Sequence, residues 1–219
     1  MARQSGSEPV SALQFLPARL SMSSLREAAQ DCQGCPLFQN ATQTVFGQGR
    51  RDARIFLVGE QPGNDEDLQG KPFVGPAGRI LDEALAVASI DRADAYVTNV
   101  VKHFKWEAKG KRRMHKKPSA REIAACLPWL EKEIELIKPK ILVCLGATAA
   151  QTLLGRDFKV SVQRGRIVPC KFAQHTLATV HPSSILRQPT TEDRHRAMEQ
   201  LVADMKVVAG LLNGKSRAS

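Results

Sequence analysis

The stretch KILVCLG, Lys140–Gly146, is an almost unbroken apolar run that ends in a glycine. Such a run suits an interior strand of a parallel sheet, whose two faces are both covered by other elements. Four further segments are predicted to be strands, namely Ile55–Val58, Ala95–Val101, Gly165–Pro169 and Thr176–Val180. Lys140–Gly146 therefore predicts the interior of a sheet to which these segments belong.

Segments with helical periodicity alternate with the predicted strands. Ser119–Ile137 is amphipathic, and Ser119 and Glu122 have the spacing of a capping box at its start. The other predicted helices are Ser24–Gln30, Pro76–Ser89, Ala147–Leu154 and Glu192–Leu212. The alternation predicts an α/β fold, a single domain with a central, mostly parallel sheet flanked by helices on both faces.

The composition of the 219 residues is that of a globular protein with a strong positive charge. Hydrophobic residues make up 42% and no apolar run approaches the roughly 20 residues of a membrane span, so disordered, collagen-like and membrane-spanning classes are excluded. The 32 Lys and Arg against 22 Asp and Glu give a net charge of +10, which favours a polyanion such as nucleic acid as partner.

The ends of the chain differ in character from its middle. We expect residues 1–22 to form a flexible leader, residues 23–213 the folded domain and residues 214–219 a frayed tail. The N-terminal segment lacks the continuous apolar core of a secretory signal, so the expected location is the cytoplasm. Nothing in the sequence calls for an obligate partner subunit, and we expect a monomer.

Polar side chains follow the predicted strands at their carboxyl ends, where open parallel sheets bind ligands. GEQPG, residues 59–63, places Glu60 there as a general base, as an electrostatic partner for a developing cation, or as a solvated loop carboxylate. Asn99 ends a second strand and His181 opens HPSSILR, residues 181–187. These two side chains could read the edge of a planar heterocycle by hydrogen bonds, or they could cap turns.

Two further segments carry aromatic or basic side chains. QGKPFVGPAG, residues 69–78, holds Phe73, which is either a stacking surface for a base or a plug in its own loop. KHFKWEAKGKRRMHKK, residues 102–117, is predicted to be a long basic loop with eight Lys or Arg, one Glu and a local charge of +7. This charge density is expected either for a loop that contacts the phosphates of a nucleic acid or for a flexible loop exposed to solvent. His115 lies within it, and a lone loop histidine is usually a bystander.

The five cysteines are an odd set, which argues against a disulfide framework. Cys32 and Cys35 have a spacing that lets both sulfurs point at one metal or redox centre, and Cys126 on the predicted helix offers a third thiolate. Cys144 fits core packing in the apolar strand, and Cys170 fits either role. The residues alone favour an iron–sulfur cluster little more than zinc.

Taken together and in this order, the segments resemble the iron–sulfur uracil-DNA glycosylases called family 4. That family carries GE-x-PG and QG-x-PFVG-x-AG loops, an Asn at a strand end, an ALGATAA-like strand and helix, and a terminal HPS segment. Here they stand as GEQPG, QGKPFVGPAG, TNVVK, CLGATAAQTLLG and HPSSILR. The resemblance covers roughly residues 32–208 and implies the uracil-DNA glycosylase fold, with uracil-containing DNA, single-stranded DNA preferred, as substrate.

Two departures from family 4 resemble the UdgX subgroup. His103 stands where family 4 has a Cys ligand, and a basic loop ending in KRRMH is inserted; Gln61 also matches the subgroup. UdgX-type proteins excise uracil and are then joined covalently to the abasic DNA through a loop histidine, which corresponds to His115. The resemblance implies a [4Fe-4S] cluster held by Cys32, Cys35, His103 and Cys126, with Cys144 or Cys170 as competitors for the place of His103.

The resemblance also implies a role for each remaining site residue. His115 is the nucleophile, Glu60 orients it and takes its proton, and His181 stabilises the departing uracil anion. Uracil is expected to contact Gln61, Phe73 and Asn99. The DNA is expected to contact Lys111, Arg112, Arg113, Ser183 and Arg187. Two alternatives stay open: a conventional family 4 enzyme with turnover, and a non-catalytic DNA-binding protein with a structural metal.

Overall fold

A computed structural model describes residues 11–214, and a four-stranded parallel sheet runs through their middle. The strands are β1 (Ile55–Gly59), β2 (Ala95–Asn99), β3 (Trp106–Lys109), β4 (Arg112–His115), β5 (Ile141–Leu145) and β6 (His175–Thr179). The central sheet has the order β2-β1-β5-β6, and β3 pairs with β4 in a separate sheet. The apolar run Lys140–Gly146 is confirmed as β5, an interior strand buried at every position.

Helices cover both faces of the central sheet, as the alternating pattern predicts. They are α1 (Met22–Gln30), α2 (Asn64–Gln69), α3 (Pro76–Val87), α4 (Ala120–Ile137), α5 (Ala147–Leu154), α6 (Val160–Gln163), α7 (Pro182–Leu186) and α8 (Thr191–Leu212). One core contains Leu25 of α1 and Trp129 of α4, and the other contains Leu81 of α3 and Met205 of α8. The capping box of Ser119 and Glu122 is present at the start of α4.

The segment predicted as a basic loop is a β-hairpin, so that prediction is wrong. β3 and β4 are antiparallel, and Trp106 pairs with His115 at the base of the hairpin. Gly110 has a φ of 60° in the two-residue turn, a conformation that glycine adopts without steric cost. Because side chains alternate along a strand, Arg113 and His115 share one face of β4, and Arg112 and Met114 share the other.

The strand predicted at Gly165–Pro169 is also wrong. Only Val168 forms an isolated antiparallel bridge, to Thr176 at the edge of the central sheet. Gly165 has a φ of 71°, outside the β region, and Pro169 has no N–H to donate to a ladder. These two residues prevent the apolar segment between them from extending into a strand.

The leader expected at residues 1–22 is structured over the part that the structure describes. Residues 1–10 lie outside the described range, but Ala12–Phe15 form a short 3-10 helix that packs on α4. Ala12 is fully buried, and its backbone lies so close to Gly34 that a Cβ there would be 2.6 Å from the Ala12 nitrogen. Of the expected tail, residues 215–219 lie outside the description. Among the described helices, none combines the length and apolarity of a membrane span.

Candidate active site

The carboxyl edge of the central sheet and the hairpin enclose a narrow cleft of about 90 Å³. It is lined by Gln61, Gly63, Glu66, Phe73, Ala77, Asn99, His115, His181 and Ser183. Three wider grooves, of up to 620 Å³, contain none of the predicted catalytic, uracil-binding or DNA-binding residues. The cleft is far smaller than the roughly 300–1,000 Å³ of pockets for drug-sized ligands, so it suits one small ring.

Asn99 lies at the end of β2, directly beside Gly59 of β1 in the parallel register. A Cβ at Gly59 would be 2.3 Å from Asn99 Oδ1 and 2.7 Å from Cζ of Phe73, so glycine is needed for both side chains to approach. Asn99 is 2% exposed, and its Oδ1 has no hydrogen-bond partner in the described part of the chain. A buried acceptor without a donor is costly, so this atom points to a ligand that carries an N–H group.

His181 forms the opposite wall of the cleft, where it caps the start of α7. Its Nδ1 accepts a hydrogen bond from the backbone N–H of Ser183 at 3.2 Å, so in the neutral ring the proton resides on Nε2. Desolvation lowers the pKa of His181 to about 4, with further lowering by Arg187 and His115. The ring of Phe73 stacks near this imidazole, with centroids 6.1 Å apart. His181 is therefore a neutral N–H donor beside an aromatic surface.

His115, at the end of β4, faces the carboxylate of Glu60. Its Nε2 lies 3.7 Å from Glu60 Oε1, and the other oxygen, Oε2, accepts a hydrogen bond from the hydroxyl of Thr148. Desolvation lowers the pKa of His115, Glu60 opposes this, and Arg187 lowers the pKa further. The structure thus brings the two side chains together as a neutral imidazole beside a carboxylate able to take its proton.

Gln61 lines the cleft, and its side-chain amide bonds to the backbone of the hairpin, so the uracil contact predicted for it stays a prediction. Its Nε2 donates to the backbone oxygens of Lys105 and Lys116 at 3.2 and 3.1 Å, and its Oε1 accepts from the N–H of Lys105 at 3.1 Å. These bonds span the base of the hairpin on either side of His115. Gln61, which is 6% exposed, therefore supports the position of His115.

Arg113 is likewise hydrogen-bonded within the protein. Its Nη1 donates to Asp67 Oδ2 at 2.6 Å and its Nε to Asn64 Oδ1 at 2.9 Å. The guanidinium also lies 5.5 and 5.4 Å from the ring centroids of Phe104 and Trp106. Arg113 therefore anchors the hairpin to α2, and the DNA contact predicted for it stays a prediction.

Much of the positive charge of residues 102–117 is neutralised locally. Besides Arg113, three of its lysines form ion pairs: Lys102 with Glu133, Lys105 with Glu122 and Lys116 with Glu107. By contrast, Lys111 and Arg112 are exposed at the turn. Arg187, also exposed, donates to the hydroxyl of Ser183 at 3.0 Å on the other side of the cleft. Exposed cationic side chains therefore lie on the hairpin that carries His115 and at Arg187, which is bonded to the cleft residue Ser183.

Three of the predicted metal ligands are buried cysteines in one core. Cys32, Cys35 and Cys126 belong to the same hydrophobic core. Burial raises the pKa of Cys126 to about 12, with smaller contributions from Cys35 and Cys32 that Lys102 opposes. The indole N–H of Trp129 donates to the sulfur of Cys32 at 3.2 Å, and the N–H of Lys102 donates to that of Cys126 at 3.3 Å. The side chains predicted from the motif therefore come together in the fold.

His103 follows Lys102 and is 4% exposed. Its Nε2 lies 2.9 Å from the hydroxyl of Thr44, and desolvation lowers its pKa to about 4, so the imidazole is neutral. Cys144 is fully buried in β5, and its pKa is raised by burial and by Cys170. Within residues 11–214, no three His, Cys, Asp or Glu side chains surround one point as a single metal ion requires.

Three residues that hold the cleft together are not marked by any of the sequence motifs. Glu66 accepts from the N–H of Gly75 at 2.8 Å and from that of Gly63 at 3.0 Å, which ties the two glycine-rich loops to each other. Asp67 anchors Arg113, and Thr148 holds Glu60. The acidic run after Gly63 was a signal for the start of α2, but nothing local marked Thr148.

Comparison with known proteins gives a consistent assignment. The family model described as the uracil DNA glycosylase superfamily matches residues 46–206. The type-4 uracil-DNA glycosylase of Thermotoga maritima is 37% identical over 181 residues, which is 82% of this chain and 91% of the relative. Those of Pyrobaculum aerophilum and Archaeoglobus fulgidus are 35% and 33% identical and are covered over 87% and 89% of their lengths. Together with the sheet order and the cleft at its carboxyl edge, these matches establish that the chain belongs to the uracil-DNA glycosylase superfamily.

Proposed function

We propose that this protein excises uracil from DNA and then bonds to the abasic sugar through His115. The observation that carries the first step is the unpaired Oδ1 of buried Asn99 in a cleft sized for one ring. The N3–H group of uracil can donate a hydrogen bond to this oxygen. N3 of cytosine carries no hydrogen and is itself an acceptor. The names of the type-4 relatives support the same substrate.

The base reaches the cleft outside the helical stack, because the glycosidic bond is inaccessible in a duplex. Phe73 lies where it can stack on the uracil ring, and the Nε2–H of His181 donates to O2 of the pyrimidine. As the C1′–N1 bond breaks, its electron pair leaves with uracil and negative charge grows on O2. A neutral donor held in place stabilises that charge.

The second step joins the protein to the sugar. Departure of uracil leaves an oxocarbenium-like cation at C1′, and the negative carboxylate of Glu60 lies beside His115 to stabilise it. One nitrogen of neutral His115 donates its lone pair to C1′, and the proton on the other ring nitrogen passes to Glu60. The product is a neutral imidazole bonded to the sugar. Water cannot take the same position, so the complex persists.

The buried cysteines and His103 fit an iron–sulfur group by their chemistry. We infer that Cys32, Cys35, His103 and Cys126 hold a [4Fe-4S] cluster, because the three cysteines lie buried in one core and the residue before His103 bonds to the sulfur of Cys126. The imidazole of His103 is neutral, as a ligand must be. A cluster of four irons is larger than one ion, so its ligands stand farther apart than those of zinc. When bound, it crosslinks the segment after α1 to α4 and to the residues before the hairpin. Broad visible absorbance of the purified protein tests this; a colourless zinc protein contradicts it.

The experiment for the covalent step uses single-stranded DNA with one uracil and a denaturing gel. The wild-type protein is expected to give a complex that survives boiling in detergent, and His115→Ala to lose it while still releasing uracil. His195→Ala, at an exposed histidine of α8, is the matched control and keeps the complex.

Three results would contradict parts of the proposal. Release of many uracils per wild-type molecule without a complex indicates a conventional turnover glycosylase. Salt-sensitive binding with no uracil release indicates a non-catalytic DNA-binding protein. A complex that persists in His115→Ala assigns the bond to another residue.

A further inference from the structure

We propose that Thr148 is a positioning residue that fixes the carboxylate of Glu60 for the bond-forming step. This inference rests on the function proposed for His115. Glu60 has two carboxylate oxygens with different neighbours: Oε2 accepts a hydrogen bond from the Thr148 hydroxyl, and Oε1 lies 3.7 Å from Nε2 of His115. The hydroxyl therefore determines which oxygen faces the imidazole.

The fold explains why these two side chains meet. Glu60 follows the last residue of β1, and Thr148 is the second residue of α5, which begins just after β5. β1 and β5 are neighbours, with Val58 beside Cys144, so the loop after one strand adjoins the start of the helix after the other. Thr148 is 5% exposed. Its hydroxyl is thus held by the sheet and aimed at the carboxylate.

The physical effect is the loss of rotational freedom of Glu60. Its side chain is about one-fifth exposed (20%) and ends in a carboxylate that rotates easily when nothing holds it. A hydroxyl bonded to an ionised carboxylate makes a stronger contact than one between neutral groups. This bond keeps Oε1 directed at His115 before DNA arrives, so the acceptor for the imidazole proton is in place when the cation forms.

Asn99 and His181, which act on the base, do not contact Thr148 through any hydrogen bond of the described residues. Loss of the Thr148 hydroxyl should therefore slow joining to DNA more than release of uracil. A hydrogen bond to a charged group contributes roughly 1.5–3 kcal/mol, so we expect joining to slow by about tenfold or more. Uracil release should change by less than about threefold, because Asn99 and His181 are untouched and Glu60 keeps the negative charge that stabilises the cation. Joining additionally needs Oε1 directed at the imidazole proton, and only this orientation depends on Thr148.

The test is a single-turnover time course in which free uracil and detergent-stable complex are measured in the same samples. The variants are Thr148→Val, which keeps the shape without the hydroxyl, Thr148→Ala, which also lacks it, and Thr148→Ser, which restores it. Thr176→Val is the matched control, because Thr176 is a fully buried threonine whose hydroxyl has no partner in residues 11–214. All rates are normalised to folded protein measured by circular dichroism.

The expected result is slow joining in both variants without the hydroxyl, and wild-type joining in Thr148→Ser and Thr176→Val. Three results overturn the inference: wild-type joining in Thr148→Val or Thr148→Ala, no rescue by serine, or equal slowing of release and joining. A wild-type protein that forms no complex refutes the proposed function instead. If wild-type forms it, His115→Ala does not, and loss of the Thr148 hydroxyl has no effect, only this inference fails.

Discussion

The two walls of the cleft are held in place by different kinds of interaction. Asn99 and His181 belong to the end of β2 and the start of α7, so the hydrogen-bonded sheet and its helices fix them. His115 belongs to a hairpin that forms a sheet of its own, and side chains of Gln61 and Arg113 attach that hairpin to the domain. The residues proposed to read the base are thus fixed by the central sheet and its helices. The proposed nucleophile lies on a hairpin that side-chain contacts attach to the domain.

This difference suggests that the two chemical steps can be perturbed separately. Contacts made by backbone in a buried sheet resist single substitutions, because no one side chain carries them. The position of the hairpin, in contrast, is held by a few side-chain hydrogen bonds and depends on each of them. Changes on the core side should therefore stop the whole reaction, whereas changes to the anchors should affect mainly the joining step.

The largest effect is expected from His181→Ala on the core side. Removal of the donor proposed to stabilise the departing uracil should slow uracil release by about 10²–10³-fold, the cost typical of losing a preorganised donor to a developing anion. Formation of the complex should slow in proportion, since the cation at C1′ forms more slowly. Single-turnover release at saturating DNA measures this, with binding of uracil-free DNA as the control expected to stay unchanged. Uracil release at the wild-type rate by His181→Ala would show that His181 takes no part in breaking the glycosidic bond.

A smaller effect is expected from Arg113→Ala on the hairpin side. Asp67 is fully buried and would lose the guanidinium that donates to it, a cost on the order of 2 kcal/mol for a hydrogen bond to a charged group. The hairpin should then leave its position often enough to slow joining by about tenfold, while release changes less. Hydrogen exchange of the amides in 106–115 should rise in parallel.

The control for this anchor is Lys111→Ala on the same hairpin, whose exposed side chain lies at the turn. Lys111→Ala should weaken DNA binding slightly and make that binding slightly less dependent on salt. The rate at which the covalent complex forms at saturating DNA should stay unchanged. If Arg113→Ala and Lys111→Ala behave alike, with altered salt dependence and unchanged exchange, Arg113 contacts phosphate and the anchor is wrong.

The same contrast explains how much could be predicted from the sequence. The apolar run of β5 and the polar residues after the strands follow from periodicity and topology, so the sheet edge carrying Glu60, Asn99 and His181 was predictable. The hairpin was read as a loop because its strands are short and highly charged, and period-two alternation is weak there. The partners of Arg113 and Glu60 lie 46 and 88 residues away, and no local pattern specifies such contacts.

The most subtle expected difference between the two walls is their response to pH. Desolvation, assisted by Arg187, lowers the pKa of His115, so it lies below the ordinary value of about 6.5. Joining should then be constant above that value and fall as pH decreases through the folded pKa, because only the neutral ring has a lone pair to donate. His181, with a pKa of about 4, keeps its neutral state over most of the same interval. Uracil release should therefore persist in acid where joining declines.

Arg187 offers a direct check of this pH contrast, because its positive charge lowers the pKa of His115 and lies at the edge of the cleft. Arg187→Ala should move the acid decline of joining to higher pH, and Arg187→Lys, which keeps the charge, should leave it near the wild-type position. The ratio of complex to free uracil between pH 4 and pH 7, measured at saturating DNA, isolates the nucleophile from binding. A ratio that does not change with pH in any of the three proteins would show that the protonation of His115 does not control the bond-forming step.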